Sequence, residues 1–209
     1  MRVVTDIQEF SKQKYSIYVD EEFAFVLYRG ELSSYGLKRG KPIEEEKYQQ
    51  ITRELLPKRA KKRCLNLLKT RAYTEMKLRQ KLREGKYPEE SIEEAIEYVK
   101  SYGYIDDYDY ACQYIAFHKE KESRRKLEEK LSAKGISPEV LQRAFLSTYE
   151  EGEEEELQLI QARKLLCKKN YQPQETDWKE RQKLFAFLMR KGIPSEIIRR
   201  VLETEEWEE

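Results

Sequence analysis

Apolar residues follow two kinds of pattern along this chain. Early on they gather in short runs rich in aromatic and β-branched side chains, Tyr15-Ser-Ile-Tyr-Val19 and Phe23-Ala-Phe-Val-Leu27. Asp20-Glu-Glu22 lies between the runs and can turn the chain, so a β-hairpin is predicted. Gly30, Gly36 and Gly40, with Pro42 beyond, punctuate the next stretch. A two-stranded hairpin is marginal alone in water, so this one is expected to lean on the first helices. From Glu44 onward the spacing is helical, and Pro57 predicts a break or kink near Leu56.

An i, i+4 leucine pair with a second amphipathic stretch after it recurs. Leu78 and Leu82 precede Ile92, Ala95 and Ile96; 49 residues on, Leu127 and Leu131 precede Leu141, Ala144 and Phe145. After 57 more, Leu184 and Leu188 precede Ile198, Val201 and Leu202. Thr74 and Ser123 stand four residues before their leucines as expected N-caps; the third copy departs, with Glu180 at that place, and Thr176 or Asp177 is expected to cap it instead. Gly135 and Gly192 suit left-handed C-caps, and Pro138 and Pro194 suit the first turn of the next helix. A leading helix is expected in each copy, over 58–69, 109–119 and 153–169, each carrying one cysteine. The expected fold is mainly α, with three tandem three-helix repeats in an elongated array behind a small N-terminal β-hairpin extension. The extension covers 1–45, and the modules cover 46–105 (with a lead-in helix), 106–150 and 151–209. A module of about 50 residues scarcely buries its faces alone, so neighbours are expected to stack or share contacts.

Composition fits that picture. Of 209 residues, 39% are hydrophobic and 39% charged, a large surface demand for the volume. Cys64, Cys112 and Cys167 are widely spaced and form no CxxC pair, which argues against a disulfide framework or zinc site and for small buried helix residues. No apolar run reaches the roughly 18 residues of a membrane span, and the N-terminus lacks a signal-peptide core, so a cytoplasmic location is expected.

The net charge of +1 conceals opposed blocks. Residues 58–86 carry +10, 89–109 carry −7, 150–156 carry −6 and 203–209 carry −5. The basic block supplies the candidate binding residues. Lys58, Arg59, Lys61, Lys62 and Arg63 belong to the leading helix, with Arg71 beyond it and Lys86 at the far end. On the middle helix, Lys77 and Lys81 are expected on one shoulder of the leucine stripe and Arg79 and Arg83 on the other. Such a patch suits phosphates or an acidic protein surface; the plainer alternative is a solvated helix face. Ser101-Tyr-Gly-Tyr-Ile-Asp-Asp-Tyr-Asp-Tyr-Ala111 is expected to link the first two modules, with Gly103 ending one helix and Asp106 or Asp107 capping the next. Its paired aspartates are too few oxygens for a hard metal site. The tyrosines around it, Tyr102 to Tyr114, suit packing or an interface. His118 has no partner pattern and is expected on the surface, and no P-loop, GxGxxG or HExxH occurs, so no catalytic residue, metal or cofactor is assigned.

Taken together, Leu78-Arg-Gln-Lys-Leu82, the stretch from Ile92 to Val99, Gly103-Tyr-Ile-Asp-Asp107, Tyr110-Ala111 and Leu127 through Gly135-Ile136 resemble the RecX family of bacterial regulators acting on RecA. Tyr15 to Asp20, Phe23 to Phe25 and Tyr35 to Leu37 are similar to the extension of longer members. The resemblance covers essentially the whole chain, is strongest over 58–145, and weakens in the third module. It implies that the three-helix repeats form an elongated curved array, and it implies a RecA filament as partner, bound along its groove, with ATP hydrolysis, strand exchange and repressor self-cleavage suppressed. It implies no catalytic residues, and some members also touch DNA. A monomer is expected. The alternative is a helical DNA-binding module that acts through its basic first repeat without RecA.

Overall fold

The structure is a computed structural model that describes residues 2–203; the acidic stretch from residue 204 onward lies outside them. Two compact units divide the chain, one up to Asp106 and one from Asp107.

The strand region of the first unit is larger than a hairpin. β1 (Arg2–Ser11), β2 (Lys14–Val19), β3 (Glu22–Tyr28) and β4 (Pro42–Ile43) form one antiparallel sheet in the order β3-β2-β1-β4. The expected hairpin is β2–β3. Asp20 and Glu21 turn it with positive φ at both residues, the tight turn whose twist matches its strands. β1 braces that turn: the Val3 N–H donates to Asp20 Oδ1 at 2.9 Å, and the Glu21 N–H donates to Thr5 Oγ1 at 3.0 Å. β1 itself is hidden in the sequence because Val4 and Ile7 are three residues apart. Val4 faces Val19 and Ile7 faces Ile17, with a register shift between Val4 and Asp6. One bulged residue thus converts a spacing of three into one-sided alternation. A short helix, α1 (Arg29–Tyr35), comes directly after β3.

α2 (Glu45–Gln49), a π-helical segment (Gln50–Leu55) and α3 (Leu56–Leu68) run on without interruption, and the break expected near Leu56 does not occur. Proline lacks the N–H that continues the ladder, and its ring crowds the preceding turn. The wider π turn accommodates both effects, with the Leu56 N–H reaching back to the Ile51 carbonyl. This helix serves two cores. Ile51 and Leu56 pack with Val4, Ile17, Phe25 and Leu27 of the sheet. Ala60, Cys64 and Leu67 pack instead with α4 (Glu75–Glu84) and α5 (Glu89–Ser101) in the first three-helix core. Leu78 and Leu82 are fully buried there, and the Lys77 N–H donates to the Thr74 hydroxyl at 3.3 Å, the cap expected for α4.

In the second unit, α6 (Asp107–His118), α7 (Arg124–Ser132) and α8 (Pro138–Thr148) enclose one core. A separate core lies among α9 (Glu153–Cys167), α10 (Trp178–Arg190) and α11 (Ser195–Glu203). Each module therefore closes its own apolar core, and what these two share is polar. Ser123 Oγ donates to the Lys191 carbonyl at 2.8 Å, Gln161 donates to the Lys119 carbonyl at 2.7 Å, and Arg124 pairs with Glu154 at 2.6 Å. Ser123 stands at the N-cap of α7 but makes no capping bond; its hydroxyl is turned instead toward Lys191, to whose carbonyl it donates. Asp177 rather than Thr176 caps α10, accepting from the Glu180 N–H at 2.7 Å. Gly135 and Gly192 are left-handed as expected, and Pro194 precedes α11 rather than lying in its first turn.

The cysteines depart from expectation: Cys64 is buried, Cys112 half-buried and Cys167 exposed. The buried pairs of the leading helices are Ala60/Cys64, Ala111/Ile115 and Ala162/Leu166. Cys112 and Cys167 fall one residue beyond that stripe, which turns them off the core.

Candidate functional site

Much of the opposed charge cancels inside the first module, because acids of α5 face cations of α3 and α4. Arg79 bonds Glu75 at 2.8 Å and also Glu93. Arg83 grips Glu89 at 2.8 and 3.0 Å, and Lys61 reaches Glu94 at 2.7 Å. The Arg83 bond holds the Glu89 carboxyl below its usual range, and the Arg79 bond does the same for Glu93. Burial opposes ionisation of Glu75, but bonds from Lys100 and Arg79 outweigh it and hold that carboxyl low as well. The patch expected on α4 is thus not a single surface. Arg79 and Arg83 tie α4 to α5, Lys77 bonds Gln80 at 3.3 Å, and Lys81 pairs with Glu84 at 2.6 Å.

What the structure gathers instead is a groove of about 730 Å³ in the first unit. Phe10, Lys14 and Tyr28 line it from the sheet; Lys58, Arg59, Lys62 and Arg63 line it from α3; Lys81 and Tyr87 come from α4 and the loop after it. Two carboxylates share the lining, Glu31 and Glu84, and each is already engaged, by Arg59 at 2.5 Å and Lys81 at 2.6 Å. Arg59 is the brace of the site. It donates to the Val26 carbonyl at 2.9 Å, and its guanidinium lies 4.9 Å from the Tyr28 ring centroid. Glu31 also accepts from the Tyr28 N–H at 2.7 Å, so sheet, α1 and α3 meet at one ion pair. Burial pushes the Tyr87 hydroxyl up, so it stays neutral beside these cations.

Lys62 and Arg63 are exposed, and no described carboxylate stands within ion-pair distance of either. Lys58 has only Glu54, at 3.9 Å. Lys14 was not among the expected residues. Its signal was the hairpin register, which sets Lys14 opposite Tyr28, with its ammonium 5.3 Å from that ring. Lys86 lines an adjoining recess, and its ammonium lies 4.8 Å from the Phe10 ring and 5.3 Å from Phe23. Lys61, Arg71, Lys77, Arg79 and Arg83 do not line the groove. Arg71 lies over Tyr73 at 4.6 Å.

Elsewhere, His118 is half-buried rather than on the surface, stacked on Tyr114 at 4.2 Å with its Nδ1 2.8 Å from the Tyr114 carbonyl. Tyr102 and Tyr104 are exposed and stack on each other at 5.8 Å, while Tyr108, Tyr110 and Tyr114 pack on the second-module core. Among the described residues no three His, Cys, Asp or Glu side chains stand together as a metal cage needs, and no described helix is long and apolar enough to cross a membrane.

Family models described as "RecX, first three-helix domain" and "RecX, third three-helix domain" match residues 60–98 and 155–202. The chain is 30% identical over 188 residues to "Regulatory protein RecX" of Clostridium acetobutylicum, covering 90% of this chain and 87% of that one. It is 29% identical over 203 residues to the protein of the same name from Caldanaerobacter subterraneus subsp. tengcongensis, covering 97% and 98%. A solved "regulatory protein RecX" aligns with a TM-score of 0.65 at 24% identity, covering 98% of this chain and 100% of that one. RecX from Lactobacillus salivarius aligns at 0.61 and 22%, covering 72% and 96%. These two likenesses show the fold.

Proposed function

The chain belongs to the RecX family of regulatory proteins, and on that premise we propose that it binds RecA filaments and lowers their recombinase, ATPase and coprotease activities. The observation that carries this is the match to the Clostridium acetobutylicum protein along 90% of the chain. The architecture supports it. A filament repeats one surface at every subunit, and a chain with repeated modules can engage more than one of them, so the first contact raises the effective concentration for the second. We read it as a cytoplasmic monomer in this role. The test adds the full chain to RecA on single-stranded DNA and measures ATP hydrolysis. Hydrolysis is expected to fall as the protein approaches stoichiometry with RecA, and an unchanged rate there refutes the proposal.

A second reading, that the first module binds DNA without RecA, is favoured by one observation: the groove gathers cations whose charge the neighbouring acids do not cancel.

A further inference from the structure

We propose that the groove between the N-terminal sheet and α3 binds the sugar-phosphate backbone of single-stranded nucleic acid, with the sheet as an integral part of the site. This rests on the DNA-binding reading and is independent of RecA.

The charge is the first reason. Lys14, Lys62 and Arg63 have no described carboxylate at ion-pair distance, and the two carboxylates in the lining are spent on Arg59 and Lys81. Cations held together in this way collect counter-ions, and a polyanion gains by displacing them.

The second reason is layout. Lys58 and Lys62 are four residues apart on α3 and Arg63 adjoins Lys62, so these three succeed one another along one side of the helix, with Arg59 bracing the wall between them. Lys14 reaches the same groove from β2. The cations thus form a track with two sides, which suits an extended chain better than a lone phosphate. The groove, at about 730 Å³, is the size of a small-ligand site, room for a short stretch of one strand's backbone.

The third reason concerns the aromatics. Lys14 and Arg59 lie over the Tyr28 ring, and Lys86 lies over Phe10 and Phe23. Those rings hold cations in place rather than offering faces to bases. The site therefore reads backbone charge, and binding is expected to show little preference among sequences.

The experiment is fluorescence anisotropy of a labelled thymidine homopolymer with the full chain, in the absence of RecA, across a salt series. The logarithm of affinity should fall linearly with the logarithm of salt concentration. Replacing Lys62 and Arg63 together by glutamine should make that slope shallower by about 1.4, and Lys14→Gln by about 0.7, as expected for two and one lost phosphate contacts. Lys164→Gln, on exposed α9 surface in the other unit, should leave the slope unchanged. Lys62 and Arg63 are exposed, so these variants keep the fold, and far-UV circular dichroism verifies it. The proposal is overturned by no binding at low salt, by a slope the groove variants do not move, or by a duplex binding as tightly as the single strand. It is also overturned if polyglutamate binds and the oligonucleotide does not, which would assign the groove to an acidic protein segment. Because RecA is absent, a failure here is distinct from a failure of the ATPase assay.

Discussion

Replacing Gly192 with alanine tests how the second and third modules are joined. Gly192 has φ of +86°, a conformation costly to any residue with a Cβ. An added Cβ would also lie 2.5 Å from Ser123 Oγ, closer than such atoms approach. That hydroxyl cannot simply swing away: Ser123 is 3% exposed, and it donates to the Lys191 carbonyl at 2.8 Å. The substitution therefore carries two penalties. Left-handed strain costs about 1–2 kcal/mol, and displacing the buried hydrogen bond costs about 0.5–1.5 kcal/mol more. Gly103 provides the reference, since it is also left-handed, with φ of +67°, but nothing lies within 4 Å of its added Cβ. Urea denaturation monitored by far-UV circular dichroism should show Gly192→Ala losing about 1 kcal/mol more than Gly103→Ala. In a Ser123→Ala background the 2.5 Å clash is gone and the nearest atoms are Arg125 Cβ at 3.3 Å and Ser123 Cβ at 3.5 Å, so the double variant should lose less than the sum of the singles. Equal losses at the two glycines, or strict additivity, would refute the reasoning.

The first module and the cysteines supply further expected outcomes. Arg59→Ala should cost about 2–3 kcal/mol in thermal denaturation, because it strands Glu31 and the Val26 carbonyl in a half-buried place. Arg83→Ala should cost much less than Arg59→Ala, since its pair with Glu89 is 54% and 60% exposed and screened by solvent; similar losses for the two would contradict the assignment of Arg59 as the brace. Glu75, Glu89 and Glu93 are held below the ordinary glutamate value of 4.5 in the folded chain. Their stabilising contribution is therefore present above that value and is lost as pH falls through the lower folded values. The melting temperature should drop on acidification below about pH 4.5, and less so in Glu93→Gln; a rise would be the wrong sign. Burial pushes the Cys64 thiol up to about 11, whereas Cys167 is exposed. A thiol reagent at neutral pH should therefore modify Cys167 at once and Cys64 only on unfolding, and rapid labelling of Cys64 in the native chain would contradict its burial.

The helical part of the fold was legible because its signals are local. Leucines at i, i+4, the Thr74 cap and the left-handed glycines each depend on residues within one or two turns, and the structure has them where the periodicity points. β1 was not legible, because a bulge breaks the alternation that marks a strand, and only pairing with β2 restores it. Nor was the outcome at Pro57, where a π turn keeps the helix continuous so that it can feed two cores. The candidate site divides along the same line. Sequence alone located the basic block, its sign and the acidic block beyond it. Which cations the acids cancel was decided by tertiary packing. α5 sets Glu89, Glu93 and Glu94 against Arg83, Arg79 and Lys61, while the sheet folds over the other side of α3 and brings Lys14 to Lys62 and Arg63. Net charge along a chain is additive, but the field at a surface depends on which partners stand within a few ångströms, and that distance is fixed only once the elements have packed.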